Sequence, residues 1–373
     1  MLRSVGAYVQ GPRVIRHAGR FAAPLGKKAF LLGGTTALSL TKEDILSSLA
    51  EHKVAQATVQ PGVQICSVNA VNSLVEVGKA SGADVVVSVG GGSAVDAGKL
   101  VAYKMGVPVI CIGTVCSTAC GPTTALSVVY NEDHTFKEYA FYPRNPDVVM
   151  MDSKLIAESS PEYLVAGMGD TYAAYFEAIA ASKGSPNLVG GRSLPLAYRA
   201  AKDCWDQCRE YGLEAKLANE KKVVTPALER LIETCTYTAC LGYESGGMSG
   251  AHSIHNGLVN VGVVSLHRSV QPYAPHGQVI AFTTLALMIL DEKTPEQIEE
   301  VIAFNNRVGL ATTMEDIAGG KDVPDDVLTE AAKFACAKGE TIHYMQQPIR
   351  PDMVFAAVKE ADALGHAYKE KNE

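Results

Sequence analysis

No stretch of this chain approaches the ~20 uninterrupted apolar residues that a membrane-spanning helix needs, so an integral membrane protein of the helical type is not expected. The opening residues, Met1 to Tyr8, lack the long apolar core of a secretory signal, and a cytoplasmic protein is expected. Basic clusters are missing too. Lys and Arg number 33 against 40 Asp and Glu, a formal charge of −7. Nucleic acids and anionic membrane surfaces need concentrated positive charge, so neither is an expected partner. The nine cysteines follow no zinc-finger spacing, and an odd count cannot close into a complete set of internal disulfides. Cys204, Cys208, Cys235 and Cys240 read as ordinary thiols. There is no internal repeat, no low-complexity segment, no P-loop and no G-x-G-x-x-G fingerprint.

What the chain has in quantity is apolar material. Apolar residues make up 47% and charged residues 20% of 373 positions, which supports a large core and suggests two domains. Short β-branched runs at Lys28 to Leu32, Asp84 to Val89 and Val107 to Ile112 alternate with helical patterns at Lys42 to His52 and Val68 to Ser81. Strand–helix–strand alternation implies parallel pairing and a doubly wound, mostly parallel sheet. Leu126 to Tyr130 and Lys137 to Phe141 flank a hairpin loop at Asn131 to His134. The character then changes. Ser160-Pro161-Glu162 is a helix start, with a hydroxyl at the N-cap, proline in the first turn and then an acid. Beyond it the spacing is helical at Asp170 to Lys183, Pro226 to Leu241, Phe282 to Leu290 and Pro295 to Arg307, with no convincing strand. The expectation is an α/β domain over residues 1–159 and an all-α domain over 160–373.

Two groups of residues carry chemistry. Gly90-Gly91-Gly92-Ser93 follows a buried strand and opens a helix. Glycines clear room for a diphosphate there, and the helix start offers unpaired N–H groups and a favourable dipole. The second group could converge from three places: Asp170, read as lying just inside a helix start; His252, with His255 three residues on and on the same helix face; and His276 in Pro275-His276-Gly277. One carboxylate and two imidazoles suit Zn²⁺, or alternatively Fe²⁺, with open positions for water or substrate.

In order and spacing, Gly90 to Lys99, Thr114 to Tyr130, Pro143 to Asp147, Gly167 to Ala178, Gly246 to Gly257 and Pro275 to Gly277 resemble the iron-containing alcohol dehydrogenases. Within that family the resemblance is to the glycerol dehydrogenase and hydroxycarboxylate dehydrogenase branch. It implies an N-terminal dinucleotide domain, a C-terminal helical domain and a metal in the cleft between. It implies Asp170, His252 and His276 as metal ligands. Gly92 and Ser93 would touch the pyrophosphate, Gly90 and Gly91 of the same loop would help bind the cofactor, and Asp96 would support the loop and the neighbouring nicotinamide. Gly34, Thr114, Ser117, Thr124, Leu126 and Tyr130 match positions lining NAD or NADP. Iron-binding members carry a further histidine where this chain has Ala174, so the three-ligand zinc branch is the better match. His255 is the candidate for moving protons.

Two departures bear on substrate and cofactor. Cys120 stands where glycerol dehydrogenases place an aspartate that holds the polyol, and a thiol cannot accept from two hydroxyls as a carboxylate does. Gly34, followed by Thr35 and Thr36, stands where NAD-preferring relatives place an acid. The expected activity is hydride transfer between NAD(P)(H) and a small alcohol or carbonyl, with a 2-oxo acid or other activated carbonyl preferred over glycerol, in a homo-oligomer. The alternatives are glycerol dehydrogenase proper, a dehydroquinate-synthase-like lyase, which would need a basic cluster near the metal motifs, and a non-catalytic metal- or nucleotide-binding protein.

Overall fold

A computed structural model describes residues 1–132, 136–181, 185–268 and 270–372. Its strands in chain order are β1 (Ala7–Gly11), β2 (Lys28–Gly33), β3 (Ala55–Gln60), β4 (Val85–Gly90), β5 (Val109–Gly113), β6 (Leu126–Tyr130), β7 (Phe136–Phe141) and β8 (Val148–Asp152). Six of them form one sheet in the order β1-β8-β5-β4-β2-β3, every neighbouring pair parallel. β6 and β7 form a separate antiparallel hairpin. Of its expected loop, Asp133 and His134 lie outside the described residues. The strands expected at Lys28, Asp84 and Val107 are β2, β4 and β5; β1, β3 and β8 are additions to that reading.

Both faces of the sheet are covered, because alternate residues of a strand point to opposite sides. Ala29 and Leu31 of β2 pack with Val85, Val87, Ile110 and Ile112 against Leu38, Ile45 and Leu49 of the Thr35–Glu51 helix. Phe30 and Leu32 face the other way, toward Val71 and Leu74 of the Val68–Ser81 helix and Val101 of the Gly92–Met105 helix. That second core continues without a break into the rest of the chain, through Met168, Tyr172, Trp205 and Phe304. The Thr35–Glu51 helix starts earlier than its expected onset at Lys42, with Gly34 as its N-cap.

After Asp152 the described residues contain helices and no strand. The principal ones are Pro161–Ala180, Pro195–Glu220, Gly250–Asn260, His276–Leu290, Pro295–Val308 and Pro351–Asn372. Proline opens the Pro161–Ala180 helix as expected, although the Ser160 hydroxyl makes no capping bond. The pattern expected as one helix from Pro226 to Leu241 runs to Gly246 and carries a π turn at Thr234–Thr238. No helix among the described residues is long and apolar enough to cross a membrane.

Candidate metal and dinucleotide site

Asp170 lies in the middle of the Pro161–Ala180 helix, not near its start, so a role in favouring the helix dipole is ruled out. Its surroundings explain the small residues before it. A side chain at Gly167 would strike the Cys116 carbonyl, one at Gly169 the Gly277 carbonyl, and one at Gly277 the Ala166 carbonyl. These glycines let the Pro161–Ala180 helix approach both the 116–121 loop and the first turn of the His276–Leu290 helix. Asp170 and His276 are thereby brought face to face.

The three candidate ligand atoms of Asp170, His252 and His276 lie within 4.8 Å of one another. His252 Nε2 is 3.5 Å and His276 Nε2 3.6 Å from Asp170 Oδ1. Asp170 Oδ2 accepts from the Ala119 amide at 2.7 Å, and the Tyr243 hydroxyl donates to the Asp170 carbonyl. The other nitrogen of each imidazole is engaged. His252 Nδ1 lies 2.9 Å from Glu177 Oε2, and its own amide donates to Glu177 Oε1 at 3.0 Å. His276 Nδ1 lies 2.9 Å from His255 Nε2, and His255 Nδ1 is 3.1 Å from Asn256 Oδ1. His255, expected to move protons, therefore has both ring nitrogens occupied. His267, the other histidine of this stretch, is outside the cluster and bonds through its amide to Ser265.

The charges favour a cation. Burial alone would discharge Asp170, but His276 and His252 hold its carboxyl well below the usual carboxylate range. Burial likewise opposes a charged His252, yet the Glu177 and Asp170 carboxylates outweigh it and raise the imidazole to about 10. Burial and the two neighbouring imidazoles keep His255 neutral. Two buried carboxylates thus face two imidazoles whose Nε2 atoms point to one spot. A donor set of one carboxylate oxygen and two imidazole nitrogens fits a divalent ion with open coordination positions. The fully buried side chain at Ala174 adds no fourth ligand.

The glycine loop sits where β4 enters the Gly92–Met105 helix. Gly90 has φ +150°, and a Cβ there would come 2.7 Å from the Ala94 side chain. A Cβ at Gly92 would meet nothing within 4 Å, so the loop leaves open space at the helix start. Helix geometry leaves the N–H groups of Gly92 and Ser93 without intrahelical partners, which suits a diphosphate. Thr114 is tied to this loop by its amide, which donates to the Gly90 carbonyl at 3.2 Å. Gly34 lies beside it, its amide donating to Val89 at 3.2 Å. Ser117 is partly exposed, Thr124 is buried, and Leu126 and Tyr130 are half-buried at the two ends of β6.

The segment between Ser117 and Thr124 joins the two halves of the site, and it is pinned from several sides. Lys99, buried and 2.9 Å from Asp96, donates to the Gly121 carbonyl at 2.8 Å, to Thr124 Oγ1 at 3.2 Å and to the Leu126 carbonyl. Asp96 in turn accepts from the Val128 amide at 3.1 Å. The π turn contributes two carbonyls: Cys235 accepts from the Cys120 amide at 2.8 Å and Thr236 from Thr123 Oγ1 at 2.7 Å. Glu244 accepts from the Ala125 amide and from Asn145 Nδ2. Cys120 has φ +51° and packs with Ala119, Ala174, Cys204, Cys240 and Tyr243; burial pushes its thiol well above the ordinary range. It is a neutral group beside the ligand cluster, not a member of it.

Sequence reasoning missed Glu177, Lys99, Glu244 and Asn256 around the site, and Glu340, whose carboxylate accepts from Asn256 Nδ2 at 3.2 Å. Glu177 had a readable signal, since it lies two helical turns beyond Asp170 on the same face. Asn256 and Glu340 had none, because their meeting depends on tertiary packing.

Residues 6–153 match the family described as iron-containing alcohol dehydrogenase. Over 369 residues the chain is 37% identical to glycerol dehydrogenase of Citrobacter freundii, covering 99% of this chain and 98% of the relative. The chain belongs to the iron-containing alcohol dehydrogenase family. This alcohol dehydrogenase is also 33% identical to glycolaldehyde reductase of Halobacterium salinarum, over 100% of this chain and 99% of that one. A crystal structure of a probable glycerol dehydrogenase from Sinorhizobium meliloti superposes with a TM-score of 0.90 at 30% identity, covering 98% of this chain and 99% of that one. The protein is a metal-dependent, NAD(P)-linked oxidoreductase of the glycerol dehydrogenase-like kind, acting on small-molecule substrates.

Proposed function

We propose that Asp170, His252 and His276 hold a single divalent ion, zinc in preference to iron, and that the enzyme interconverts a small activated carbonyl, such as a 2-oxo acid or hydroxyaldehyde, with its alcohol. The observation that carries this reading is the convergence of three donor atoms within 4.8 Å, with both imidazoles braced on their far side. Zinc is favoured because three protein ligands with an open position suit its catalytic sites and Ala174 supplies nothing more. An ion held there supplies Lewis acidity to a substrate oxygen. A bound nicotinamide supplies or accepts the hydride.

The chain's own residues do the rest. Gly90, Gly91, Gly92 and Ser93 receive the diphosphate. Asp96, through Lys99 and the Val128 amide, fixes the loop that carries Thr114, Ser117 and Thr124 and the strand from Leu126 to Tyr130. Cys120 shapes the substrate side of that loop as a neutral, compact group, without the carboxylate that would hold two hydroxyls of a polyol. The 33% identity to a glycolaldehyde reductase supports an activated small carbonyl. We take residues 1–159 as the dinucleotide domain and 160–373 as the metal domain, with the site at their junction.

The deciding experiment is metal analysis of His252→Ala beside the wild type, with NADH and NADPH oxidation over a panel of aldehydes, ketones and 2-oxo acids. The variant should lose its metal and all turnover while keeping its helical circular dichroism. Full metal occupancy in His252→Ala overturns the ligand assignment. A highest specificity constant for glycerol overturns the substrate assignment.

A further inference from the structure

Behind His276 runs a chain of groups whose hydrogen-bonding roles can be deduced one from the next. A carboxylate only accepts, and Asn256 Nδ2 lies 3.3 and 3.2 Å from the two oxygens of Glu340. The amide therefore turns its NH₂ toward Glu340 and its oxygen toward His255. That oxygen only accepts, so His255 Nδ1, 3.1 Å away, carries a proton. A neutral imidazole has one N–H, which leaves His255 Nε2 as an acceptor. His276 Nδ1, 2.9 Å from it, must then be the donor, so Nε2, 3.6 Å from Asp170 Oδ1, is the nitrogen left to offer a lone pair to a metal. The segment bearing Glu340 is docked independently of this chain. Thr341 Oγ1 donates to the Ser249 carbonyl at 2.6 Å, and the Ile342 amide donates to Ser253 Oγ at 3.0 Å.

The geometry points to Glu340 as a positioning residue that decides, through Asn256 and His255, which nitrogen of His276 is free to bind the metal. His252 is set separately by Glu177, so the two imidazole ligands have independent supports. The inference rests on reading Asp170, His252 and His276 as metal ligands. Outer partners of this kind typically change metal affinity by about 10- to 100-fold.

The test uses the full chain. In metal-free protein labelled with ¹⁵N-histidine, long-range ¹H–¹⁵N correlations should find both His255 and His276 protonated at Nδ1. Titration of metal-free protein with Zn²⁺ should show Glu340→Gln and Asn256→Ala each weakening binding by about 10- to 100-fold, with circular dichroism unchanged. Combining those two should be no worse than Asn256→Ala alone, whereas Glu340→Gln with Glu177→Gln should multiply the losses. Zn²⁺ affinity within twofold of wild type in both single variants overturns the inference, and so does a His276 whose Nδ1 carries no proton. The ligand reading fails on a different result, wild-type affinity in His252→Ala. In that event the metal-free tautomers still decide the role of Glu340.

Discussion

The proposed substrate and cofactor preferences turn on two single residues, Cys120 and Gly34. Cys120 adopts φ +51°, a backbone that aspartate tolerates better than most side chains. Cys120→Asp should therefore fit the chain path and shift preference toward vicinal diols. The new carboxylate would lie near Asp170 and Glu244, so thermal stability should fall at the same time. Steady-state kinetics on glycerol and a 2-oxo acid, with a melting curve, check both parts. Gly34 has φ −64°, and a Cβ there would meet only the Val63 carbonyl at 3.8 Å. Gly34→Asp should therefore fold and should raise selectivity for NADH over NADPH by roughly 1–3 kcal/mol. A wild type that already uses NADH a thousandfold better than NADPH would show that another residue guards the adenosine ribose. The three donors Asp170, His252 and His276 were legible because each sits in a Gly-flanked motif of an unusual kind. Glu340 was not, since nothing local marks a glutamate that acts two residues removed from the ligand it steers.

At the scale of elements, the Gly92–Met105 helix and the π turn act as two jaws on the loop between Ser117 and Thr124. Lys99 is the strongest contact of the first jaw. Burial works against its charge, but Asp96 more than compensates and the ammonium stays ionised. Lys99→Met would leave Asp96 buried without its cationic partner, which costs about 3 kcal/mol by analogy with broken buried pairs. We expect that loss in denaturant unfolding, together with a raised KM for the dinucleotide. Asp96→Asn with Lys99→Met should recover part of the stability, and a full additive loss would deny the coupling. Some elements were easier to read than others. β4 and β5 are uniformly buried and rich in β-branched residues, so their runs stand out. β1 and β3 contain Gln and Ala and lie at the sheet edges, where the pattern weakens. β8 is fully buried, but Val148-Val149-Met150-Met151 is a short apolar run with no period to separate strand from helix.

Across the whole molecule, the larger apolar core runs from one face of the sheet into the helices without a break, so apolar burial holds the two together whether or not an ion is bound. The fold should therefore survive removal of the metal. Chelation should abolish turnover and leave far-UV circular dichroism intact, and saturation with zinc to about 100 times its Kd should add roughly 2.7 kcal/mol of stability. The metal-free protein should also respond to pH in a defined sense. His252 rises from an ordinary value of 6.5 to about 10 on folding. Its contribution to stability is therefore fully present below about 6.5 and is lost as pH climbs through about 10. A metal takes its place only by displacing that proton from Nε2. Zinc binding should thus release one proton from His252, and apparent affinity should rise by about tenfold per pH unit below 10. Calorimetric titration in two buffers of different ionisation enthalpy measures the released proton directly. Binding with no proton release at neutral pH would mean that His252 is already neutral before the metal arrives, and that Glu177 serves only to aim the ring.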